Sequence, residues 1–216
     1  MPNPLLYVVR HGETAWNAEN RIQGSIDIAL SAKGREQARL LAGRFATEPL
    51  SAVYTSPLSR ALDTARIIAG RHPGIEVQVT EELLEVKCGL FEGKTYEELG
   101  DDRRWVKMWR EDPHLRLPGG ESRMDLYERV GGFMRNLITR HGGDERVLVV
   151  GHGGVNKSII GWLFEVDVKH VWRFYQANAC VNVFRPHDMG YLCEAWNDTS
   201  HLCAELVTLD QGALRK

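Results

Sequence analysis

A chain of 216 residues is long enough to bury a sizeable core. Its 27 Lys and Arg stand against 29 Asp and Glu, a net charge of -2, so no long-range basic field recruits nucleic acid or an anionic membrane. The four cysteines show neither the C-x-x-C spacing of a zinc site nor the density of a disulfide scaffold, and they read as reduced, mostly packed thiols.

Leu5-Leu6-Tyr7-Val8-Val9 is a short apolar run of β-formers, which predicts a buried strand ending at Arg10-His11-Gly12. After a polar loop, Ser31 caps a predicted helix whose apolar face is Ala38, Leu41, Ala42 and Phe45. Ala52-Val53-Tyr54 is a second strand. Ser56-Pro57 then supplies a cap followed by proline at the first helical position, opening a helix through Leu58, Ala61, Leu62 and Ala65 to Gly70. Residues 75–79 alternate as a third strand and lead into Glu81-Glu82-Leu83-Leu84-Glu85. The stretch from about 86 to 121 is the least regular, rich in charge and tryptophan, and is expected as an insertion or lid over the sheet edge.

Ser122 and Asp125 form a capping box for a long helix carrying Leu126, Val130, Phe133, Leu137 and Ile138. It closes on a second copy of the tripeptide, Arg140-His141-Gly142, with Gly142 as the expected C-terminal cap. A strand over 147–150 runs into Gly151-His152-Gly153-Gly154, a helix follows from about Gly154 to Phe164, and two closing strands lie near 180–184 and 191–196. Strands alternating with helices predict a three-layer α/β/α sandwich with a mainly parallel central sheet, as a single domain over 1–216. No apolar stretch approaches the ~20 residues of a membrane helix. Arg10 interrupts the N-terminal apolar run before it reads as a signal peptide, so the expected location is cytoplasmic.

Ligands of open α/β sheets bind at the carboxyl ends of the parallel strands. This separates the two tripeptides: His11 stands at a strand end, whereas His141 closes a helix. His152 is a second strand-end histidine, and two such residues can converge on one site. Arg10 can fork two donors onto an anion's oxygens, with Thr14, Asn17, Gln23 and a backbone amide near Gly24 supplying smaller donors. A plainer reading makes the same loop a capped turn with an Arg10 to Glu13 ion pair. Arg60 lies in a first helical turn, where acidic residues are favoured, so it is either a solvated arginine or a cation with an anion nearby. His152 is flanked by glycines whose amides, at Gly153 and Gly154, can face an anion; taken alone it reads as a structural histidine.

The chain resembles the histidine phosphatase superfamily, in its phosphoglycerate mutase-like branch, over nearly its whole length. The resemblance rests on Arg10-His11-Gly12-Glu13-Thr14 with Asn17, Gln23-Gly24, Leu30-Ser31-Ala32-Lys33-Gly34 and Tyr54-Thr55-Ser56-Pro57-Leu58-Ser59-Arg60-Ala61. It continues through Glu85 with Gly89-Leu90-Phe91-Glu92-Gly93, Pro118-Gly119-Gly120-Glu121-Ser122 and Gly151-His152-Gly153-Gly154. The acid phosphatase branch fits less well, because it follows the tripeptide with x-Arg-x-Pro where Glu13-Thr14-Ala15-Trp16 stands here.

Residue by residue, the resemblance implies that His11 is a nucleophile transiently phosphorylated on a ring nitrogen. Arg10, Arg60 and His152 would hold the phosphoryl oxygens, with Asn17 and amides near Gly24 and Gly153 assisting, and Glu85 would protonate the leaving oxygen. Local spacing leaves Glu81, Glu82 and Glu92 as open alternatives to Glu85. The implied activity is a metal-independent, cofactor-free hydrolysis of a small phosphorylated metabolite. The alternatives are a cofactor-dependent phosphoglycerate mutase and a non-catalytic phospho-ligand binding relative. A mutase needs a closed lid with several basic contacts; the compact segment after Glu85 looks more like the phosphatase members. Lys87, Arg103, Arg104, Lys107 and Arg116 read mostly as a solvated face, while Trp105, Met108, Trp109 and His114 are candidates to line a substrate pocket. A homodimer is left open, with no interface specified.

Overall fold

Why β1 (Leu5–Arg10) reads as a continuous apolar run is plain in the computed structural model, which describes residues 3–208: all six of its residues are buried between two helical layers. The other strands are β2 (Ala52–Thr55), β3 (Val77–Val79), β4 (Arg146–Gly151), β5 (Val181–His187) and β6 (Gly190–Asp198). They form one sheet in the order β3-β2-β4-β1-β5-β6. The first four strands are parallel, and β5 and β6 add antiparallel pairs at one side.

Six helices accompany the sheet among the described residues: α1 (Ala15–Ala18), α2 (Ala32–Phe45), α3 (Ser59–Ala69), α4 (Arg103–Glu111), α5 (Arg123–Arg140) and α6 (Gly153–Leu163). Strand alternation assigns the layers. Leu5, Tyr7 and Val9 pack with Leu41 and Phe45 of α2 and Ala61, Ala65 and Ile68 of α3. Leu6 and Val8 face the opposite core with Leu126, Val130 and Phe133 of α5 and Val155 and Ile159 of α6. The result is the expected α/β/α sandwich with a mostly parallel sheet.

Several local expectations need correction. α3 begins at Ser59 rather than Pro57, because its cap comes from elsewhere in the chain: Asp27 Oδ1 accepts from the Ser59 N–H at 2.8 Å and from its hydroxyl at 2.7 Å. Ser56 Oγ accepts only from the Leu58 N–H. α5 is capped by His141 in an extended conformation, and the left-handed turn falls at Gly143, not Gly142. β3 starts at Val77, so residues 75 and 76 lie outside the ladder. Cys180 is buried but Cys193 and Cys203 are exposed, so half of the thiols are not packed as expected. α1 sits inside the supposed polar loop, held by a Thr14–Asn17 capping box; four residues carry no readable periodicity.

Residues 86–121 contain two short turns, Gly89–Phe91 and Gly100–Asp102, and α4. Val86, Phe91, Leu99, Trp109 and Leu117 of this segment are buried in the same core as α5. Among the described residues no helix is long and apolar enough to cross a membrane.

Candidate active site

The register of the two central strands builds the site. β1 and β4 are parallel neighbours, with Arg10 opposite Gly151, so the residues that leave their carboxyl ends, His11 and His152, emerge side by side. Their rings lie 5.2 Å apart, and the His11 N–H donates to the Gly151 carbonyl at 3.0 Å. Close backbone approach fixes the loop that follows. A Cβ on Gly12 would lie 2.4 Å from the Gly34 carbonyl oxygen, and one on Gly34 would lie 2.0 Å from that of Glu13. The loop therefore seats directly on the first turn of α2, backbone against backbone.

Hydrogen bonding assigns the imidazole tautomers. Nδ1 of His11 is 2.6 Å from the Gly12 carbonyl oxygen and must donate its proton there, which leaves Nε2 with its lone pair. For His152 the pattern is reversed in purpose. Its Nδ1 accepts from Arg60 Nε at 3.3 Å, so Nε2 carries the proton, and that N–H is buried without a partner. One ring presents a free lone pair and its neighbour a donor.

Two guanidinium groups flank the pair. Arg10 is 7 % exposed and Arg60 1 %, and neither is ion-paired to a carboxylate among the described residues. Buried charges normally are paired, so two cations hydrogen-bonded only to neutral groups leave positive charge open to an anion. Arg10 Nη1 donates to the Gln176 carbonyl, and its buried Nε has no partner. Arg60 donates to the Ile26 carbonyl at 2.7 Å and the Gly24 carbonyl at 2.8 Å. The Arg10 to Glu13 ion pair of the plainer reading is absent: Glu13 is held by the hydroxyls of Ser31 and Thr208, at 2.9 and 2.6 Å, and by Lys33 at 3.7 Å.

Burial, reinforced by Arg60 and Arg10, holds His11 well below the usual imidazole range. Burial is also the main cause for His152, with Arg60, His11 and Arg10 adding to it. Both rings are therefore neutral at physiological pH, as the tautomers require. Burial likewise pulls Arg60 down to about 10, which still leaves it charged.

Glu85 reaches the same point from the other side. Its Oε2 accepts from the Gly154 N–H at 3.0 Å and its Oε1 from the Val86 N–H at 2.9 Å. The Cβ position of Gly153 lies 3.8 Å from Arg10 Cζ and 3.9 Å from Glu85 Oε2, so cation and carboxylate converge on one space. Of the helix amides expected to face an anion, that of Gly154 is thus committed to Glu85, while that of Gly153 has no such partner among the described residues. Among the four nearby glutamates only Glu85 lines the cavity. Glu92 instead pins Ser25 and Cys88, accepting from both their amides and from the Ser25 hydroxyl.

Around these groups is a cavity of about 570 Å³. Arg10, His11, Asn17, Gln23, Gly24, Arg60, Glu85 and Gly153 line it; His152 and Thr14 lie behind its surface. Thr14 is fully buried and donates to Gln23 Oε1 at 2.9 Å, so it orients Gln23 rather than facing a ligand. Of the pocket candidates in the insertion, Trp109 lines the cavity, and Trp105, Met108 and His114 do not. Lys87, Arg103, Arg104, Lys107 and Arg116 stay outside it as well.

Sequence reasoning missed the second layer. Asn178, fully buried, donates to the His11 carbonyl at 3.2 Å and to Asn17 Oδ1 at 3.1 Å, which turns the Asn17 amide nitrogen toward the cavity. Thr64 Oγ1 accepts from the Gly12 N–H at 3.2 Å. Neither carried a usable local signal; the pairing of Asn178 with a residue 161 positions away exists only in the fold.

The family model described as histidine phosphatase superfamily (branch 1) matches residues 6–199. Phosphoserine phosphatase 1 of Hydrogenobacter thermophilus is 36% identical over 203 residues, 91% of this chain and 93% of that protein. Phosphoglycerate mutase-like protein 4 of Arabidopsis thaliana is 38% identical over 205 residues, 91% of this chain and 86% of that protein. Among solved structures, a mutant phosphoserine phosphatase from Entamoeba histolytica in complex with phosphoserine superposes with a TM-score of 0.82. It is 30% identical, over 93% of this chain and 100% of that one.

Proposed function

Since the chain belongs to the histidine phosphatase superfamily (branch 1), we propose that this phosphatase of small phosphorylated metabolites works through a phosphohistidine at His11. The observation that carries the reading is the 2.6 Å contact of Nδ1 with the Gly12 carbonyl, which leaves Nε2 unprotonated beside two buried guanidinium groups that form no ion pair among the described residues.

In the first half-reaction Arg10, Arg60, the Nε2–H of His152, the Asn17 amide and the Gly153 N–H hold the phosphoryl oxygens. Nε2 of His11 forms a bond to phosphorus as the ester P–O bond breaks, and Glu85 gives its proton to the departing alcohol oxygen. In the second, Glu85 takes a proton from water, the water oxygen bonds to phosphorus and the P–N bond breaks, which regenerates neutral His11 and releases orthophosphate. The cations stabilise charge on the equatorial oxygens in both transition states, the largest contribution open to a protein in phosphoryl transfer. Their field and the burial of His11 also keep its attacking nitrogen free of a proton.

Two measurements check this account. Turnover stopped in alkali in the presence of EDTA should leave one phosphoryl group on the peptide that contains His11; label on another residue, or none, overturns the assignment. Conversion of 3-phosphoglycerate to 2-phosphoglycerate without phosphate release would instead establish the mutase.

The second measurement is the pH profile. Because the imidazole of His11 is shifted downward, its neutral form persists to lower pH, and the acid limb of kcat/KM should lie below pH 6.5 once the substrate's own ionisation is removed. A limb at or above 6.5 would show an unshifted nucleophile.

A further inference from the structure

Beyond its phosphoryl end the cavity is strongly one-signed. Eight Arg and Lys side chains line it against a single carboxylate, Glu85, in a chain whose acidic residues outnumber its basic ones. Arg10 and Arg60 belong to the inner end. Arg21 is neutralised by Glu19 at 2.7 Å and Glu98 at 2.8 Å. On the outer wall the acids lie off the cavity: Glu111, Asp112 and Asp167 line a neighbouring recess together with Lys169, and none of the three lines this one.

That wall is held by a buried clamp. Arg123, 1 % exposed, donates to the carbonyls of Trp109 at 2.9 Å, Val168 at 3.0 Å and Arg110. Two of these carbonyls end α4 and the third lies in the segment after α6, so one guanidinium ties both pieces of chain together at the cavity rim. Beside its anchors stand Arg110 and Lys169, and Arg173 follows on the second segment. All three are exposed cavity residues, and no side-chain hydrogen bond or ion pair engages them among the described residues. Between them and the inner end lies Trp172. Its ring comes within 3.0 Å of the Cβ position of Gly154, whose N–H holds Glu85. Lys157 Nζ lies 4.7 Å from the centre of the Trp172 ring, and the indole N–H is buried without a partner.

A leaving alcohol protonated by Glu85 would therefore pass along Trp172 toward Arg110, Lys169 and Arg173, which line the cavity without an ion pair among the described residues. We propose that this wall is a second anion subsite. Arg110, Lys169 and Arg173 bind a carboxylate or second phosphate carried by the leaving alcohol, so the preferred substrates are phosphomonoesters of acidic alcohols. The inference rests on the phosphohistidine reading of the inner end, which places the alcohol on the Glu85 side.

The test compares matched esters. O-phosphoserine and O-phosphoethanolamine differ by one carboxylate; fructose 1,6-bisphosphate and fructose 6-phosphate differ by one phosphate. At least one pair should show a preference of about 10-fold in kcat/KM for the more acidic member, and that pair identifies the anionic group. Added salt should shrink the ratio. A triple variant at exposed positions, Arg110→Gln with Lys169→Gln and Arg173→Gln, should bring it near one. Ratios near one in the wild type for both pairs, or a ratio unmoved by the triple variant, overturn the subsite. Should no ester be turned over, calorimetric affinities for the same pairs report the same ratios, so failure of the subsite and failure of the phosphohistidine remain distinguishable.

Discussion

His11→Ala should lower phosphomonoester hydrolysis by at least ~10³-fold, because in the proposed mechanism it removes the atom that accepts the phosphoryl group and leaves only the binding groups. The informative comparison is His141→Ala, in the second Arg-His-Gly. His141 lies before β4 begins, at the amino edge of the sheet, opposite the cavity. There it meets the Tyr54 hydroxyl at 2.9 Å and Glu145 at 3.0 Å. Its loss strands a partly buried hydroxyl and costs about 1–3 kcal/mol of stability, while activity at 25 °C stays within about twofold, because nothing it touches reaches the cavity. Steady-state rates with p-nitrophenyl phosphate, alongside thermal unfolding, check both. Equal losses of activity would refute the choice between the tripeptides.

Glu85→Gln should discriminate among leaving groups. Glutamine keeps the shape and one carbonyl acceptor for the amides of Gly154 and Val86 but cannot deliver a proton. Hydrolysis of alkyl esters such as phosphoserine should fall roughly 10²- to 10⁴-fold, the usual scale of general acid catalysis. p-Nitrophenyl phosphate, whose phenolate departs without help, should lose less than about 10-fold in its phosphorylation step. A plot of rate against leaving-group pKa would steepen accordingly. Uniform loss across the series would mean that Glu85 positions α6 through its hydrogen bond to Gly154 and is not the acid.

Why some of this was readable in the sequence and some was not has a physical basis. Strand ends announce themselves: β1 and β4 are continuous apolar runs because both of their faces are buried. His11 and His152 follow those runs directly, so parallel pairing was enough to bring them together. Arg60 was legible as a cation set against a helix dipole, although the helix begins later than Ser56-Pro57 suggests, because Asp27 caps it from another loop. Glu85 was not selected by local pattern; among its neighbours it is distinguished by the Gly154 amide, a contact across 69 positions. The outer cations carried no local signal for a similar reason. The insertion offered Lys87, Arg103, Arg104, Lys107 and Arg116, yet the phase of α4 and the Arg123 clamp bring Arg110 and Lys169 to the cavity instead. Thr14 had the right chemistry and the wrong side of the loop.

The backbone seating of Gly12 on Gly34 bears on how the molecule can change. A Cβ at either glycine would fall 2.0–2.4 Å from a backbone carbonyl oxygen, so a side chain there has no flexible neighbour to displace, and no second substitution can relieve the clash. The loop that carries His11 is thus closed to gradual variation. The outer wall is the opposite case: its cations are exposed side chains on segments whose course is set by Arg123, and any of them can be exchanged without moving the loop. Reaction and selectivity therefore reside in parts of the chain with very different tolerance, and a library confined to positions 110, 169 and 173 would redirect the enzyme among alcohols while leaving its phosphorus chemistry intact.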